Sequence, residues 1–227
     1  MNRRFKNPAR PLLVYTDLDG TLLDTLEDLA DSTNAALEQM GLPQHPVDAY
    51  RYFVGDGARV MAERALPAEK RDGATIEACR DRLVAEYSQR WDKKTRPYPG
   101  VEEMLSQLAK RGIKMAVLSN KPNDFVELSV NRFLDNFHFD CVFGVQADIP
   151  KKPDTAGVLK IAALLDVRPE QFLYLGDTNT DMQTANAAGM FAVGALWGFR
   201  TAEELMQSGA KALIEKPLDV LDFFDKN

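Results

Sequence analysis

The chain is poor in cysteine and has no long apolar run. Its two cysteines, Cys79 and Cys141, lack the spacing of a metal or redox pair, so we expect small buried hydrophobes in a reducing compartment. No stretch approaches the roughly 20 apolar residues of a membrane-spanning helix. The basic start MNRRFKNPAR is followed only by PLLVY, which is too short for a signal-peptide core. These absences predict a cytoplasmic protein that does not bind membranes.

Motifs for dinucleotide binding are also missing. Neither GxGxxG nor a Walker-type loop occurs, and the one GxG, at 55–57, lies in a helical context. The net charge of −6 and the pI near 5.1 disfavour non-specific binding to nucleic acid. With 227 residues, 45% of them hydrophobic and 27% charged, the chain has the composition of a soluble globular protein with one domain or two.

The hydrophobic pattern changes twice along the chain. A buried-strand pattern, LLVYT, ends at Asp17, and helical patterns then extend from Thr25 to about Trp91, the last a long helix from about Ala68. From KKTRPYPG onward, apolar strands alternate with amphipathic helices, which indicates a parallel sheet covered on both faces. We therefore predict an α/β fold in which residues 1–23 and 98–227 form a Rossmann-like parallel sheet core. A small all-helical cap, residues 24–97, is inserted after the first strand.

Polar residues follow four of the predicted strands. They are Asp17 and Asp19, Ser119 and Asn120, Lys151 and Lys152, and Asp177 and Asp181. Open parallel sheets bind ligands at the carboxyl edge of their strands, so we expect these groups to converge there.

Together these groups suit phosphate chemistry. Several carboxylates in one pocket repel each other and favour Mg²⁺, and a lysine and a hydroxyl supply donors for an anion. An aspartate at a strand end can attack phosphorus, and a neighbour two residues on projects the same way and can transfer protons. Asp17 is therefore the predicted nucleophile and Asp19 the predicted acid/base. Gly20 permits the sharp turn that follows, and we expect Thr21 to contribute to substrate binding.

Structural roles remain open for several of these residues. Asp177 has the position of an N-cap for the following helix, and Lys151 is an alternative to Lys152. The turn Gly55, Asp56 and Gly57 is as consistent with the start of the following helix as with a functional role.

The motifs resemble those of the haloacid-dehalogenase-like phosphohydrolases. They are DLDGT at 17–21, LSN at 118–120, KKPD at 151–154 and GDTNTD at 176–181, in that order along nearly the whole chain. The resemblance implies that Asp17 binds Mg²⁺ together with Asp177 and the backbone carbonyl of Asp19. Asp181 would hold the ion directly or through water. It further implies phosphate contacts from Ser119, Asn120 and Lys152.

Within that family the chain is similar to phosphoglycolate phosphatase-like enzymes, through FVGDGARVMAERAL, RPYPGVEEMLSQL and ALWGFR. This implies a cap turn, Gly55, Asp56 and Gly57, that faces the active site and helps to select a small phosphorylated metabolite. Our first expectation is hydrolysis of 2-phosphoglycolate to glycolate and phosphate by a monomer or homodimer. Alternatives are a pyrophosphatase, a sugar-phosphate phosphatase or phosphomutase, a phospho-accepting receiver, and a catalytically silent binding module.

Overall fold

A six-stranded parallel sheet forms the core of the protein. The computed structural model describes residues 11–225. Residues 1–10, which belong to the predicted core and include the basic start that we predict is not a signal peptide, lie outside this range, as do residues 226 and 227. The strands of the sheet are β1 (Leu13–Thr16), β4 (Lys114–Pro122), β5 (Cys141–Val145), β6 (Phe172–Gly176), β7 (Phe191–Ala195) and β8 (Ala212–Ile214). A separate two-stranded sheet consists of β2 (Leu23–Asp24) and β3 (Arg96–Pro97).

The strand order places β1 at the centre of the sheet. The order is β5-β4-β1-β6-β7-β8, and every neighbouring pair is parallel. At the end of β1, Thr16 pairs with Val117 of β4 on one side and with Leu175 of β6 on the other. The chain therefore leaves all three strands at one edge, which brings their next residues together.

Helices of the core cover the sheet. They are α5 (Val101–Lys110), α6 (Asn123–Phe133), α7 (Ala156–Leu165), α8 (Asn179–Ala187) and α9 (Ala202–Gln207). On one face, Leu13 and Tyr15 of β1 pack in a cluster with apolar residues of α7, α8 and α9. Alternation along β1 turns Val14 to the opposite face, where it is also buried. The predicted fold class, a parallel α/β sheet covered on both faces, is confirmed.

The chain divides into two compact units, and the second is helical. The sheet unit comprises the described residues up to Leu22 together with those from Pro97 onward, and the second unit spans Leu23–Arg96. The helices of the second unit are α1 (Leu26–Gln39), α2 (Tyr50–Phe53), α3 (Ala58–Ala65) and α4 (Gly73–Arg90). Its apolar cluster joins Leu37 of α1, Ala62 and Ala65 of α3, and Ile76 and Cys79 of α4.

Short 3-10 helices account for several differences from the predicted elements. The stretch from Ala68 to Trp91 is not one helix: a 3-10 turn, Ala68–Lys70, precedes α4. Asp72 caps α4 by accepting a hydrogen bond from the Thr75 backbone N–H at 3.0 Å, which starts a new helix there. The other 3-10 helices are Val47–Ala49, Pro169–Gln171 and Pro217–Phe223.

Both cysteines are free thiols. Cys79 is buried in the helical unit as expected, whereas Cys141 of β5 is only partly buried. None of the helices between residues 11 and 225 combines the length and the apolar character required for crossing a membrane.

The two ends of the helical unit are joined by one buried carboxylate. Asp28, in the first turn of α1, is 1% exposed. It accepts hydrogen bonds from the backbone N–H of Lys94, the backbone N–H of Thr95 and the Thr95 hydroxyl, the last two at 2.8 Å. Removing it would leave buried donors without an acceptor, which costs more than losing an exposed ion pair.

We predict that Asp28→Ala lowers the free energy of unfolding by about 3 kcal/mol, equivalent to a fall in Tm of about 6–12 °C for a chain of this size. The matched control is Asp31→Ala, because Asp31 pairs with Lys94 at 2.8 Å but has a side chain that is 38% exposed. Its loss should cost less than about 1 kcal/mol. Thermal melting followed by circular dichroism measures both, and equal shifts for the two variants would contradict this account.

Candidate active site

The predicted site residues of the sheet unit meet at the carboxyl edge of β1, β4 and β6. Asp17 directly follows β1, and its backbone N–H donates to the Leu175 carbonyl of β6 at 3.1 Å. Asp177 directly follows β6, while Ser119 and Asn120 lie within β4. Lys152 differs from prediction, because it does not follow a strand directly but lies in the loop between β5 and α7.

Lys152 joins two of the carboxylates. Its ammonium group lies 3.0 Å from Asp17 Oδ1 and 2.7 Å from Asp181 Oδ1, and it also donates to the Leu118 carbonyl at 3.2 Å. Burial alone lowers the pKa of Lys152, but Asp17 and Asp181 outweigh burial and raise it. Lys152 is therefore a permanent buried cation. Lys151, the alternative from sequence, has an exposed side chain.

Three carboxylates form a buried acidic cluster at this edge. Asp17, Asp177 and Asp181 each offer an oxygen, and these oxygens all lie within 4.8 Å of one another. Burial raises the pKa of Asp17 to about 7, helped by Asp181 and Asp19 and opposed by Lys152. Burial also raises the pKa of Asp177 well above its usual range, with Asp181 and Asp17 adding to the shift. The cluster carries more negative charge than its protein surroundings stabilise.

Asp177 is held by groups from two distant segments. Its Oδ1 accepts from the Thr21 hydroxyl and its Oδ2 from the Phe199 backbone N–H, both at 2.8 Å. Gly20, with φ of +84°, packs so closely on this carboxylate that any Cβ there would overlap it. Thr21 is fully buried, and its hydroxyl orients Asp177; the substrate contact predicted for Thr21 stays a prediction.

The helix α8 is capped by Thr178, not by Asp177. The Thr178 backbone N–H and hydroxyl donate to Asp181 Oδ2 at 3.0 and 2.7 Å, and Asp181 N–H points back to the Thr178 hydroxyl. Tyr174, which is fully buried in β6, donates to Asp181 Oδ1 at 3.2 Å. Asp177 therefore takes no part in capping this helix.

Asn120 and Ser119 have different surroundings although they are adjacent. Asn120 Oδ1 accepts from the Lys152 backbone N–H at 2.7 Å and its Nδ2 donates to the Lys152 carbonyl at 3.2 Å. The amide therefore holds the loop that carries Lys152, and the phosphate contact predicted for Asn120 stays a prediction. Ser119 is buried, and its hydroxyl oxygen accepts from the Lys121 backbone N–H at 3.3 Å.

Lys121 is a site residue that sequence reasoning missed. Its ammonium group donates to both carboxylate oxygens of Asp19, at 2.8 and 3.1 Å. The signal available in the sequence was its position two residues after Ser119 on an extended segment, which turns both side chains the same way. A further contact comes from Trp197, whose indole N–H donates to the Thr21 carbonyl at 3.0 Å.

The predicted selectivity turn belongs to the helical unit. Gly55 and Gly57 have φ values of +120° and +87°, and Gly57 immediately precedes α3. Asp56 forms an ion pair with Arg64 at 2.5 Å, so its carboxylate is engaged within this unit. A contact between this turn and the substrate stays a prediction.

The donor set of the acidic cluster fits a divalent cation. Three carboxylates that supply oxygens at close range are ligands that Mg²⁺ and similar hard cations prefer. The raised pKa values of Asp17 and Asp177 indicate that a bound positive charge favours the ionisation of these two carboxyl groups.

Comparison with known proteins agrees with this geometry. The family model of the haloacid dehalogenase-like hydrolases matches residues 14–195. The chain therefore belongs to the haloacid dehalogenase-like hydrolase family.

Several similar proteins carry the name phosphoglycolate phosphatase. A phosphoglycolate phosphatase of Pseudomonas putida is 35% identical over 83% of this chain and 71% of its own length. One from Psychrobacter arcticus is 34% identical over 87% of this chain and 88% of its own. The crystal structure of a predicted phosphoglycolate phosphatase from Haemophilus somnus superposes with a TM-score of 0.87, at 29% identity, over 96% of this chain and 99% of that one.

The predicted family and the predicted enzyme class, a phosphatase, are confirmed by these matches. The two non-enzyme alternatives, a receiver and a silent binding module, are not supported. A divalent metal is the general requirement of phosphatases in this family, in agreement with the cluster of Asp17, Asp177 and Asp181.

Metal binding should stabilise the protein through this cluster. Because the folded-state pKa of Asp17 and of Asp177 is raised, protonation favours the metal-free fold, and that contribution is lost as pH rises, through about 7 for Asp17. A cation binds the ionised carboxylates, so its stabilising effect should grow over the same pH range.

We predict that Mg²⁺ at about 100 times its dissociation constant stabilises the protein at pH 8 by about 2.7 kcal/mol, a rise in Tm of about 5–11 °C. Asp177→Asn should abolish the Mg²⁺-dependent shift, because it removes a carboxylate ligand of the ion. Glu103→Gln, on the exposed side of α5, is the control and should keep the shift. A full shift in Asp177→Asn would contradict the assignment of the cluster as the metal site.

Proposed function

We propose that this protein is a Mg²⁺-dependent phosphomonoester hydrolase that forms an aspartyl-phosphate on Asp17. The observation that carries the proposal is the position of the Asp17 carboxylate, held by Lys152 at 3.0 Å within a cluster of buried acidic groups. A lysine that neutralises a buried nucleophile and fixes its orientation favours in-line attack on a bound phosphate.

In the first half-reaction, a carboxylate oxygen of Asp17 forms a bond to phosphorus while the bond from phosphorus to the ester oxygen breaks. Asp19, two residues further along the chain, transfers its carboxyl proton to the departing oxygen, which leaves as an alcohol. Lys152 and Ser119 offer a positive charge and a hydroxyl donor for the phosphoryl oxygens.

In the second half-reaction, water attacks the phosphorus of the acyl-phosphate and the bond to the Asp17 oxygen breaks. Asp19, now a carboxylate, accepts the proton of that water and returns to its initial state. The sum is one ester and one water converted to one alcohol and one phosphate, with Asp17 and Asp19 regenerated.

Asp17, Asp177 and Asp181 would hold the metal ion, with the backbone carbonyl of Asp19 as a further ligand. When bound, Mg²⁺ supplies the positive charge that offsets these carboxylates and the phosphoryl oxygens. The chain's own residues prepare this arrangement: Thr21 and the Phe199 backbone orient Asp177, and Thr178 orients Asp181.

For the substrate we propose 2-phosphoglycolate, converted to glycolate and phosphate. Support comes from relatives named phosphoglycolate phosphatase that are 34–35% identical over most of the chain. We assign the choice of substrate to the helical unit, with the turn Gly55, Asp56 and Gly57 as its selective element.

The test is phosphate release from a panel of small phosphate esters, inorganic pyrophosphate and sugar phosphates, with Mg²⁺ or with a chelator. We expect 2-phosphoglycolate to give the highest kcat/KM and the chelator to abolish turnover. Asp17→Asn should lose at least about 10⁴-fold in kcat while its circular dichroism spectrum is unchanged, because an amide cannot replace the nucleophile. Turnover by Asp17→Asn near the wild-type rate would refute the mechanism, and preference for pyrophosphate or a sugar phosphate would refute the substrate.

A further inference from the structure

We propose that Lys121 is a positioning residue that holds the Asp19 carboxylate in place for proton transfer; the inference rests on the proposed acid/base role of Asp19. Both oxygens of Asp19 accept from the Lys121 ammonium group, at 2.8 and 3.1 Å. The Lys121 side chain is 5% exposed and that of Asp19 13%. A contact with both oxygens fixes the plane of the carboxylate as well as its distance.

Three consecutive residues of β4 support different parts of the site. Ser119 is the predicted phosphate contact, Asn120 holds the backbone of Lys152, and Lys121 contacts Asp19. The Lys121 backbone N–H also donates to the Ser119 hydroxyl oxygen at 3.3 Å, so the two side chains are linked at their base. The position of Asp19 is therefore set by β4, the strand that pairs with β1.

The two buried lysines have separate partners among the four carboxylates. Lys152 contacts Asp17 and Asp181, whereas Lys121 contacts Asp19. Among the described residues, Lys121 contacts both oxygens of the Asp19 carboxylate, whereas Asp17 is also held by a hydrogen bond from the Leu18 backbone N–H at 2.7 Å. Loss of Lys121 would thus remove the contact that orients the Asp19 side chain, while Asp17 would keep its own contacts.

This arrangement predicts an effect that depends on the leaving group. An alkyl phosphate releases a poor leaving group, so its transfer to Asp17 needs the proton that Asp19 delivers. A nitrophenyl phosphate releases a stable phenolate, so its transfer to Asp17 depends little on that proton. A residue that acts through Asp19 should therefore affect the first ester far more than the second, whereas a residue that binds the phosphoryl group should affect both alike.

The experiment is single-turnover kinetics of Lys121→Met and Lys121→Arg with an alkyl phosphate turned over by the wild type and with 4-nitrophenyl phosphate. For Lys121→Met we expect the rate of transfer from the alkyl ester to fall about 100-fold, and transfer from the nitrophenyl ester to fall by less than about threefold. The arginine variant, which keeps the charge and the donors, should recover at least part of the loss.

Lys160→Met is the matched control, because Lys160 also pairs with an aspartate, Asp148, but on the surface with side chains 37% and 68% exposed. It should leave both rates unchanged. Asp19→Asn and the double variant Asp19→Asn with Lys121→Met complete a cycle: once Asp19 is replaced, the loss of Lys121 should have no further effect on the alkyl ester. The double variant removes both members of the ion pair, so neither is left buried without its partner. The coupling between the two residues can therefore be measured even if Lys121→Met folds poorly.

The outcomes separate the inference from the function on which it rests. Equal losses for both esters, or the same loss in the Asp19→Asn background, would show that Lys121 does not act through Asp19. Unchanged rates in both Lys121 variants would overturn it as well. If Asp19→Asn itself keeps full activity on the alkyl ester, the acid/base assignment fails, which is a failure of the proposed function.

Discussion

Negative charge concentrated at one edge of the sheet is the constraint on which the rest of this structure depends. Asp17, Asp19, Asp177 and Asp181 lie there, and within residues 11–225 the ammonium groups seen in contact with them are those of Lys121 and Lys152. If all four carboxylates ionise, these six groups retain two negative charges, which matches the charge of a divalent cation. The surrounding hydrogen bonds hold the carboxylates together against their mutual repulsion, at a cost to the stability of the metal-free protein.

The parallel sheet makes this concentration possible. β1 lies between β4 and β6, so the residues that follow three strands arrive at the same edge although they are distant in sequence. Supporting groups come from further segments: Trp197 holds the Thr21 carbonyl, the Phe199 backbone holds Asp177, and Asn120 holds the Lys152 loop. These neutral partners hold the charged groups in place. Their own positions depend on the register of the strands.

Much of this arrangement could be predicted, because apolar strands and their polar ends are local patterns. Asp17 and Asp177 were predicted from their positions directly after strands, and the sheet followed from the alternation of elements. Partners could not be predicted where they depend on atomic distances between remote segments. Lys121 has no local signal beyond its spacing from Ser119, and the contacts of Thr21 with Asp177 and of Asn120 with the Lys152 backbone appear only when the strands are assembled. The break before α4 was missed because Asp72 acts as a cap through one hydrogen bond that periodicity does not reveal.

Asp17, within this cluster, is the proposed nucleophile that bonds to phosphorus. The most direct measurement is rapid quenching of the enzyme during turnover, followed by borohydride reduction, which converts an aspartyl-phosphate to homoserine, and by mass spectrometry of the peptides. We expect homoserine at position 17 when substrate is present and none when it is absent. Homoserine at another aspartate, or none at position 17 under conditions in which phosphate is released and a known acyl-phosphate is reduced, would contradict it.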